Sequence, residues 1–198
     1  MTDIGTLDRR ALRRRLLEAR VALEDATHAQ FSDAITSTLL DHLRPFGNRV
    51  MAFYWPHRRE YDPMKLAEQV ITKGGIVALP VVVEKGKPLE FRQWHPDIEM
   101  LVGLYEIPHP AGDVAVVPDV VLAPVVGFDK AGYRLGYGSG YYDRTIAALA
   151  ERPMAIGVGF ELGRIDTIAP QPYDIPMDLI VTERGAFRRV DGALTRVG

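Results

Sequence analysis

The stretch DVVLAPVVGFDKAGYRLGYGSGYYDR, Asp119 to Arg144, contains a strand pattern, a glycine-rich loop and the beginning of a helix. Residues 119–128 are almost all apolar, which is typical of a strand buried on both faces. Three glycines at alternate positions follow between Gly136 and Gly140, and a helical pattern runs from about Ser139 to Glu151. A strand, a glycine loop and a helix in this order predict one unit of an open α/β sheet.

The rest of the chain repeats this alternation. Apolar spacing predicts helices over residues 8–23, around 31–39 and from 62 to 75, and apolar runs predict strands over 49–55, 76–83, 88–95, 154–160 and 178–183. A terminal hairpin over 187–196 should turn at Asp191-Gly192. Strands separated by helices favour a three-layer α/β/α domain with a mainly parallel sheet.

Composition limits the possible functions. The chain has 198 residues, 47% hydrophobic and 25% charged, with a formal charge of -2, so it reads as a globular protein without a global attraction to nucleic acid or membranes. It contains no cysteine, which excludes thiol catalysis, disulfides and cysteine metal sites. The first 20 residues lack the apolar core of a signal peptide, and a cytoplasmic protein is predicted. The proline-rich segments 107–113 and 169–176 are interpreted as ordered loops, so residues 1–198 are predicted to form one domain.

The glycine loop has the composition of an anion site. Closely spaced glycines allow backbone N–H groups to face an anion, the following helix adds partial positive charge, and Arg134 adds a formal charge. Asp143, at the beginning of that helix, has two interpretations: a magnesium ligand beside phosphates, or a partner of the helix dipole. The spacing G-x-G-x-G is neither the dinucleotide fingerprint nor the P-loop, so glycines that serve only the turn remain an alternative.

A longer pattern is more specific. GFDKAGYRLGYGSGYYDRTIAAL resembles the signature of the 5-formyltetrahydrofolate cyclo-ligase family, also called 5,10-methenyltetrahydrofolate synthetase, which reads approximately G-F-D-x-x-G-x-R-L-G-x-G-x-G-Y-Y-D. The resemblance covers most of the chain, through RRALRRRLL (9–17), FYWPHRREYDP (53–63), YEIPHP (105–110), VVLAPVVGFD (120–129) and YDIPMDLIVTE (173–183). It implies a fold similar to the ribose-phosphate isomerase and CoA-transferase group.

The resemblance also implies an activity in one-carbon metabolism. Members of the family convert 5-formyltetrahydrofolate and MgATP into 5,10-methenyltetrahydrofolate, ADP and phosphate. The formyl oxygen is a poor leaving group, so its phosphorylation by ATP gives an activated intermediate that a neighbouring amine attacks. Such a reaction asks the protein mainly for positioning and charge neutralisation.

Site residues follow from the matching positions. For ATP, the resemblance implies binding by Arg9, Arg13, Arg134, Leu135, Gly136, Tyr137, Gly138, Ser139, Gly140, Tyr141 and Tyr142. For the folate, it implies binding by Trp55, Glu60, Tyr105, Tyr137, Gly138, Ser139, Gly140 and Tyr141. The resemblance also implies catalytic roles for Arg134, Tyr141 and Tyr142. It implies that Asp143 and Asp174 bind Mg²⁺, and Asp178 is the alternative to Asp174 as the second metal ligand.

Each assignment has a structural alternative. The arginines of 9–15 could form a solvated helix face, Trp55 could belong to the core, and Glu60 could form a surface ion pair with a neighbouring arginine. Asp174 could cap a turn beside Pro172. Arg9 stands where the family usually has lysine, which keeps the charge but changes the donor geometry. The five histidines lack zinc spacing, so none is assigned as a ligand.

The sequence therefore predicts an ATP-dependent ligase that is monomeric and binds neither nucleic acid nor membrane. Two alternatives stay open. One is a related ATP-dependent ligase for another heterocycle, and the other is a folate- or nucleotide-binding regulatory protein that has lost turnover. A protein of the second kind is expected to lose Asp143 or the glycines, and this chain retains both.

Overall fold

The structure, a computed structural model, describes residues 8–198. Residues 1–7 belong to the N-terminal segment for which no signal peptide is predicted, and they lie outside the described range. Among the described helices, none combines the length and the hydropathy that crossing a bilayer requires.

The helices and strands alternate as the sequence predicts. The α-helices of residues 8–198 are α1 (Arg9–Val21), α2 (Asp25–Leu43), α3 (Met64–Thr72) and α4 (Tyr141–Ala148). The strands are β1 (Val50–Ala52), β2 (Ile76–Val81), β3 (Glu90–Trp94), β4 (Met100–Val102), β5 (Pro108–Pro110), β6 (Val120–Pro124), β7 (Gly127–Asp129), β8 (Arg134–Leu135), β9 (Met154–Val158), β10 (Arg164–Ile165), β11 (Leu179–Thr182), β12 (Gly185–Val190) and β13 (Ala193–Val197). Short 3₁₀ helices lie at Leu104–Glu106 and Glu161–Gly163.

One sheet of eight strands forms the centre of the fold, in the order β13-β12-β11-β9-β6-β1-β2-β3. The five strands from β11 to β2 run parallel, while β3 and the hairpin β12–β13 add antiparallel strands at the two edges. The hairpin turns at Asp191 and Gly192, whose φ values of 49° and 81° suit a tight turn between twisted strands. The predicted mainly parallel sheet is confirmed.

Both faces of this sheet are covered. On one face, Leu39 of α2 and Leu66 of α3 pack in the cluster that contains Leu122 of β6. The next residue along β6, Ala123, faces the opposite side and packs with Ile146 of α4. Because successive strand residues point to opposite faces, burial on both sides explains why β6 is apolar throughout. The three-layer α/β/α arrangement is confirmed.

The strand predicted over 119–128 is in fact two strands. The N–H of Val125 still donates to Val158 of the main sheet, but the N–H of Val126 donates to Leu135 at 2.9 Å. At this point the chain leaves the eight-stranded sheet and continues as β7 in a second sheet of order β10-β7-β8. Both sheets are buried here, so the sequence stays apolar across the change of partner and does not reveal it.

A buried carboxylate fixes the turn that leads into the glycine loop. Asp129 is 2% exposed and accepts hydrogen bonds from the N–H groups of Ala131 and Tyr133, both at 3.0 Å, and of Ile168 at 3.2 Å. These bonds hold the ends of β7 and β8 together, so that Arg134 and the loop after it start from a defined position.

Two local predictions differ from the structure. The helix predicted from about Ser139 to Glu151 begins at Tyr141, because Gly140 has a left-handed φ of 65° and stays outside the helix, and it ends at Ala148. The segment 107–113, interpreted as a loop, contains the short strand β5, which pairs with β4. Pro108 and Pro110 are tolerated there because this two-stranded sheet leaves them at an edge.

Candidate active site

A cavity of about 1330 Å³ opens beside the carboxyl ends of β1, β2 and β6. Tyr54, Pro80, Val82 and Pro124, which lie at or just beyond those ends, line it. Open α/β sheets bind ligands at this edge, because the loops that follow parallel strands converge there. The volume exceeds the roughly 300–1,000 Å³ of a pocket for one small molecule, so this cavity has room for two ligands.

The structure brings nearly all of the predicted site residues to this cavity. Those that line it are Arg9, Arg13, Trp55, Glu60, Tyr105, Arg134, Gly136, Tyr137, Gly138, Ser139, Gly140, Tyr141, Tyr142, Asp143 and Asp174. Leu135 does not line it: its side chain is fully buried in the cluster that contains Leu12 and Leu16 of α1. A direct contact between the Leu135 side chain and a nucleotide is therefore not supported.

The three glycines of the loop leave room for guanidinium groups. A Cβ atom on Gly136 would lie 2.6 Å from Nη1 of Arg134, and one on Gly140 would lie 2.9 Å from Nη1 of Arg144. On Gly138, whose φ is 104°, it would lie 3.3 Å from Cζ of Arg13. The missing side chains thus allow three cations to lie against one turn of backbone, which concentrates positive charge at the cavity wall.

Two of these arginines have unused donors. Within residues 8–198, Nε of Arg134 and Nε of Arg144 are buried without a hydrogen-bond partner. Guanidinium groups bind phosphate oxygens through several N–H donors at once, and buried donors without partners are otherwise costly. The donor set therefore fits a phosphorylated ligand at the glycine loop.

The two predicted metal ligands both form ion pairs with arginine. Asp143 accepts a bond from Arg134 at 2.8 Å and a second from the N–H of Ile175 at 3.1 Å. Asp174 accepts two bonds from Arg9, at 2.8 and 3.2 Å.

The N–H of Gln171 also donates to Asp174, so the predicted turn-capping role coexists with the ion pair. Asp178, the competitor of Asp174, pairs with Arg152 near the surface and does not line the cavity.

The fit to magnesium rests on these two carboxylates. No cluster of three or more His, Cys, Asp or Glu side chains with metal-binding spacing occurs in the part of the chain that the structure describes. Mg²⁺ needs no such cluster, because one or two carboxylates together with nucleotide phosphates commonly hold it. Asp143 and Asp174 line the same cavity as the glycine loop and fit this pattern.

Glu60 also lines the cavity and is 5% exposed. Its Oε2 accepts a bond from the N–H of His57 at 2.8 Å, and its Oε1 accepts one from the hydroxyl of Tyr137 at 2.7 Å. Burial raises the pKa of the Glu60 carboxyl, whereas the Tyr137 hydroxyl, Arg20 and the His57 N–H act to lower it. The surface ion pair considered for Glu60 does not form.

Aromatic rings also line the cavity. The Tyr105 and Tyr141 rings meet edge to face, with centroids 6.2 Å apart. The guanidinium of Arg134 lies 5.2 Å from the ring centroid of Tyr142. Trp55 lines the cavity and also packs against the main core, so its core contacts are present and its role in folate binding stays a prediction. Flat rings beside a buried carboxylate suit a planar heterocycle with N–H donors.

Sequence reasoning missed several residues of the site. Arg58 and Arg144 line the cavity without having been assigned to a ligand, and Arg20 donates a hydrogen bond to the backbone of Arg58. Arg144 carried a signal, since it follows Gly140 by four residues, or about one helical turn. For Arg20 and Arg58 the sequence offers no comparable signal.

Comparisons with known proteins give the same family. The model of the 5-formyltetrahydrofolate cyclo-ligase family matches residues 6–183. The 5-formyltetrahydrofolate cyclo-ligase of Mycoplasma pneumoniae is 28% identical over 178 residues, which are 89% of this chain and 99% of that protein. The protein of the same name from Escherichia coli K12 is 33% identical over 130 residues, or 62% and 71% of the two chains.

Solved structures agree with this assignment. The NMR structure of Aquifex aeolicus 5,10-methenyltetrahydrofolate synthetase superimposes with a TM-score of 0.80 and 27% identity over 96% of both chains. A 5,10-methenyltetrahydrofolate synthetase from Mycoplasma pneumoniae gives a TM-score of 0.70 and 26% identity, over 89% of this chain and 99% of that one.

Proposed function

This chain belongs to the 5-formyltetrahydrofolate cyclo-ligase family, and we propose that it cyclises 5-formyltetrahydrofolate to 5,10-methenyltetrahydrofolate with consumption of ATP. One observation carries the proposal: a single cavity joins an arginine-lined glycine loop to a buried carboxylate among aromatic rings. The first feature suits a triphosphate and the second suits a pteridine, which are the two halves of the reaction.

The chemistry accounts for the need for both ligands. Transfer of the γ-phosphoryl group to the formyl oxygen turns that oxygen into a phosphate leaving group and releases ADP. The neighbouring folate amine attacks the formyl carbon, and phosphate departs with the oxygen. The protein must bring the formyl oxygen and the γ-phosphate into line and neutralise the charge that develops between them.

Arginines supply most of that charge. Arg134 and Arg144 lie against the loop glycines and each keep an Nε donor without a partner, and Arg13 is held against the loop by a bond from Nε to the carbonyl of Gly136 at 2.6 Å. Burial and the neighbouring Arg9 lower the pKa of the Arg13 guanidinium. In the proposed mechanism these groups bind and orient the triphosphate.

Asp143 and Asp174 would hold Mg²⁺, which, when bound, neutralises charge on the phosphate oxygens. Because each carboxylate is paired with an arginine, neither presents a free negative charge to a lone cation. Magnesium binding should therefore be weak in the absence of nucleotide.

Glu60, Trp55 and Tyr105 would bind the folate. The second lone pairs of the Glu60 carboxylate remain available for ring N–H donors after its bonds to His57 and Tyr137. Tyr141 and Tyr142, at the beginning of α4, would lie between the ligands. Burial raises the pKa of the Tyr142 hydroxyl, so it remains a protonated donor near neutral pH.

The reaction itself is the test of the proposal. Purified protein mixed with 5-formyltetrahydrofolate, ATP and magnesium should form the methenyl product, followed by its near-ultraviolet absorbance. Omission of ATP, or exhaustive chelation of divalent cations, should abolish product formation. Undiminished turnover after chelation would contradict the metal role, and binding of both ligands without product would favour the regulatory alternative.

A second test concerns the folate end of the cavity. Glu60→Gln should weaken 5-formyltetrahydrofolate binding by about 1.5–3 kcal/mol, because a charge-assisted bond becomes a neutral one in a buried site. ATP affinity should stay close to that of the wild type in parallel calorimetric titrations.

Glu161→Gln is the matched control, because Glu161 also pairs with an arginine but does not line the cavity. Equal loss of both ligands in Glu60→Gln would indicate a folding role for Glu60.

A further inference from the structure

We propose that Arg20 of α1 is a positioning residue that keeps Glu60 oriented and ionised by acting through the hydroxyl of Tyr137. This inference rests on the proposed folate-binding role of Glu60. Arg20 does not line the cavity, and it lies 117 residues from Tyr137 in the sequence. A residue that never touches substrate would thus set the charge of one that does.

The geometry around Arg20 is that of a fixed side chain. It is 4% exposed, its Nε donates to the carbonyl of Arg58 at 3.1 Å, and its Nη2 donates to the hydroxyl oxygen of Tyr137 at 2.5 Å. Two bonds from one planar guanidinium fix the position and the rotation of the group. Through Arg20, α1 therefore contacts both the loop that precedes Glu60 and the glycine loop that contains Tyr137.

The hydrogen bonds have a defined direction. Arginine can only donate, so the oxygen of Tyr137 must accept from Arg20. An ionised carboxylate can only accept, so the Tyr137 proton must point to Oε1 of Glu60, 2.7 Å away. Arg20 therefore leaves the hydroxyl one useful orientation, and this orientation stabilises the ionised form of Glu60.

In the part of the chain that the structure describes, no other group around Glu60 replaces this cation. His57 and Arg58 from its own loop, Tyr54 after β1, Tyr137 before α4 and Tyr142 within α4 are its other titratable or charged neighbours. Burial and the charges of Arg58 and Arg20 lower the pKa of His57, which favours its neutral form. The three tyrosines have raised pKa values and stay neutral, and a phenol is not a cation in either protonation state.

Within residues 8–198, Arg20 is the basic side chain within 4.0 Å of the Glu60 carboxylate. Arg58 contributes its backbone carbonyl to Arg20 rather than an ion pair to Glu60.

Direct titration of Glu60 tests the inference. The carboxyl ¹³C shift of Glu60, assigned by its loss in Glu60→Gln, should give a pKa about one unit higher in Arg20→Met than in the wild type. Tyr137→Phe leaves Arg20 in place and should raise the same pKa. In the double variant the two increases should not add, because Arg20 acts through the hydroxyl. Arg15→Met, on the exposed face of the same helix, should leave the titration unchanged.

Folate binding supplies the functional readout. The ratio of wild-type to Arg20→Met affinity for 5-formyltetrahydrofolate should grow as the pH falls, toward about tenfold when both carboxyls are largely protonated. The ratio grows in this direction because Glu60 of Arg20→Met, with the higher pKa, becomes protonated at a higher pH than Glu60 of the wild type. ATP affinity should change less than twofold.

Two outcomes would overturn the role of Arg20: an unchanged Glu60 pKa in folded Arg20→Met and Tyr137→Phe, or equal losses of folate and ATP affinity at every pH. Either would mean that Arg20 merely ties α1 to the domain. A wild-type protein that binds no 5-formyltetrahydrofolate would instead overturn the proposed function, while the ¹³C titration would still decide whether Arg20 sets the ionisation of Glu60.

Discussion

The Gly138→Val variant should fold and bind ATP about 100-fold more weakly than the wild type. At a φ of 104°, a β-branched residue is strained, and its Cβ would lie 3.3 Å from the Arg13 guanidinium carbon. The side chain of Arg13 must then move away from the loop, which loses its bond to the carbonyl of Gly136. The remaining volume of the valine would fill the place where a phosphate should approach the backbone.

A matched substitution at Gly192 separates the effect of backbone strain from the loss of phosphate binding. Gly192 has a φ of 81° in the terminal hairpin, with open space around its Cβ position apart from Arg189 at 3.9 Å, and it does not line the cavity. Gly192→Val should lower the melting temperature and leave ATP affinity unchanged. Melting curves with and without MgATP, beside calorimetric titrations, distinguish the two variants. Wild-type ATP affinity in folded Gly138→Val would contradict the phosphate-binding role of the loop.

Asp143→Asn should lower the rate of cyclisation by at least about 100-fold, because the carboxylate charge proposed to hold magnesium at the reacting phosphate is lost. Some folate affinity should remain, since Glu60 is untouched. Excess magnesium should restore only part of the rate. Initial rates over a magnesium series, with folate binding measured separately, test this expectation.

The structure also predicts that Asp143→Asn is less stable than the wild type. Asp143 pairs with Arg134, whose side chain is 5% exposed, so the variant leaves a buried cation with a weaker partner. Asp178→Asn is the matched control, because Asp178 also accepts from an arginine and from a backbone N–H, but away from the cavity. This control should lose stability without losing rate. A wild-type rate in folded Asp143→Asn would contradict the metal assignment.

Much of the architecture could be predicted because it depends on the spacing of residues that are close together in the sequence. Helical spacing from 8 to 23 and alternating or continuous apolar runs such as 76–83 depend only on local periodicity. The glycine loop between a strand and a helix led to the prediction of an anion site. The long signature around this loop identified the family, and the comparisons confirm the family. The organisation as one domain and the roles of the individual site residues stay predictions.

The partners of the charged residues could not be predicted in this way. Arg9 meets Asp174 across 165 residues, and Arg20 meets Tyr137 across 117, so each pairing depends on how α1 crosses the loops at the end of the sheet. In the sequence, the arginines of α1 differ little from a solvated helix face. The crossing alone separates buried Arg20 from exposed Arg15.

The sequence by itself determined the order of the elements, the position of the glycine loop and the family, because these depend on residue types at short, fixed spacings. Only the tertiary structure decided that β6 and β7 belong to different sheets, that Asp174 rather than Asp178 faces the cavity, and that Glu60 is buried. The physical reason is that burial and charge pairing depend on which distant segments meet, and adjacent residues with similar composition can face opposite environments.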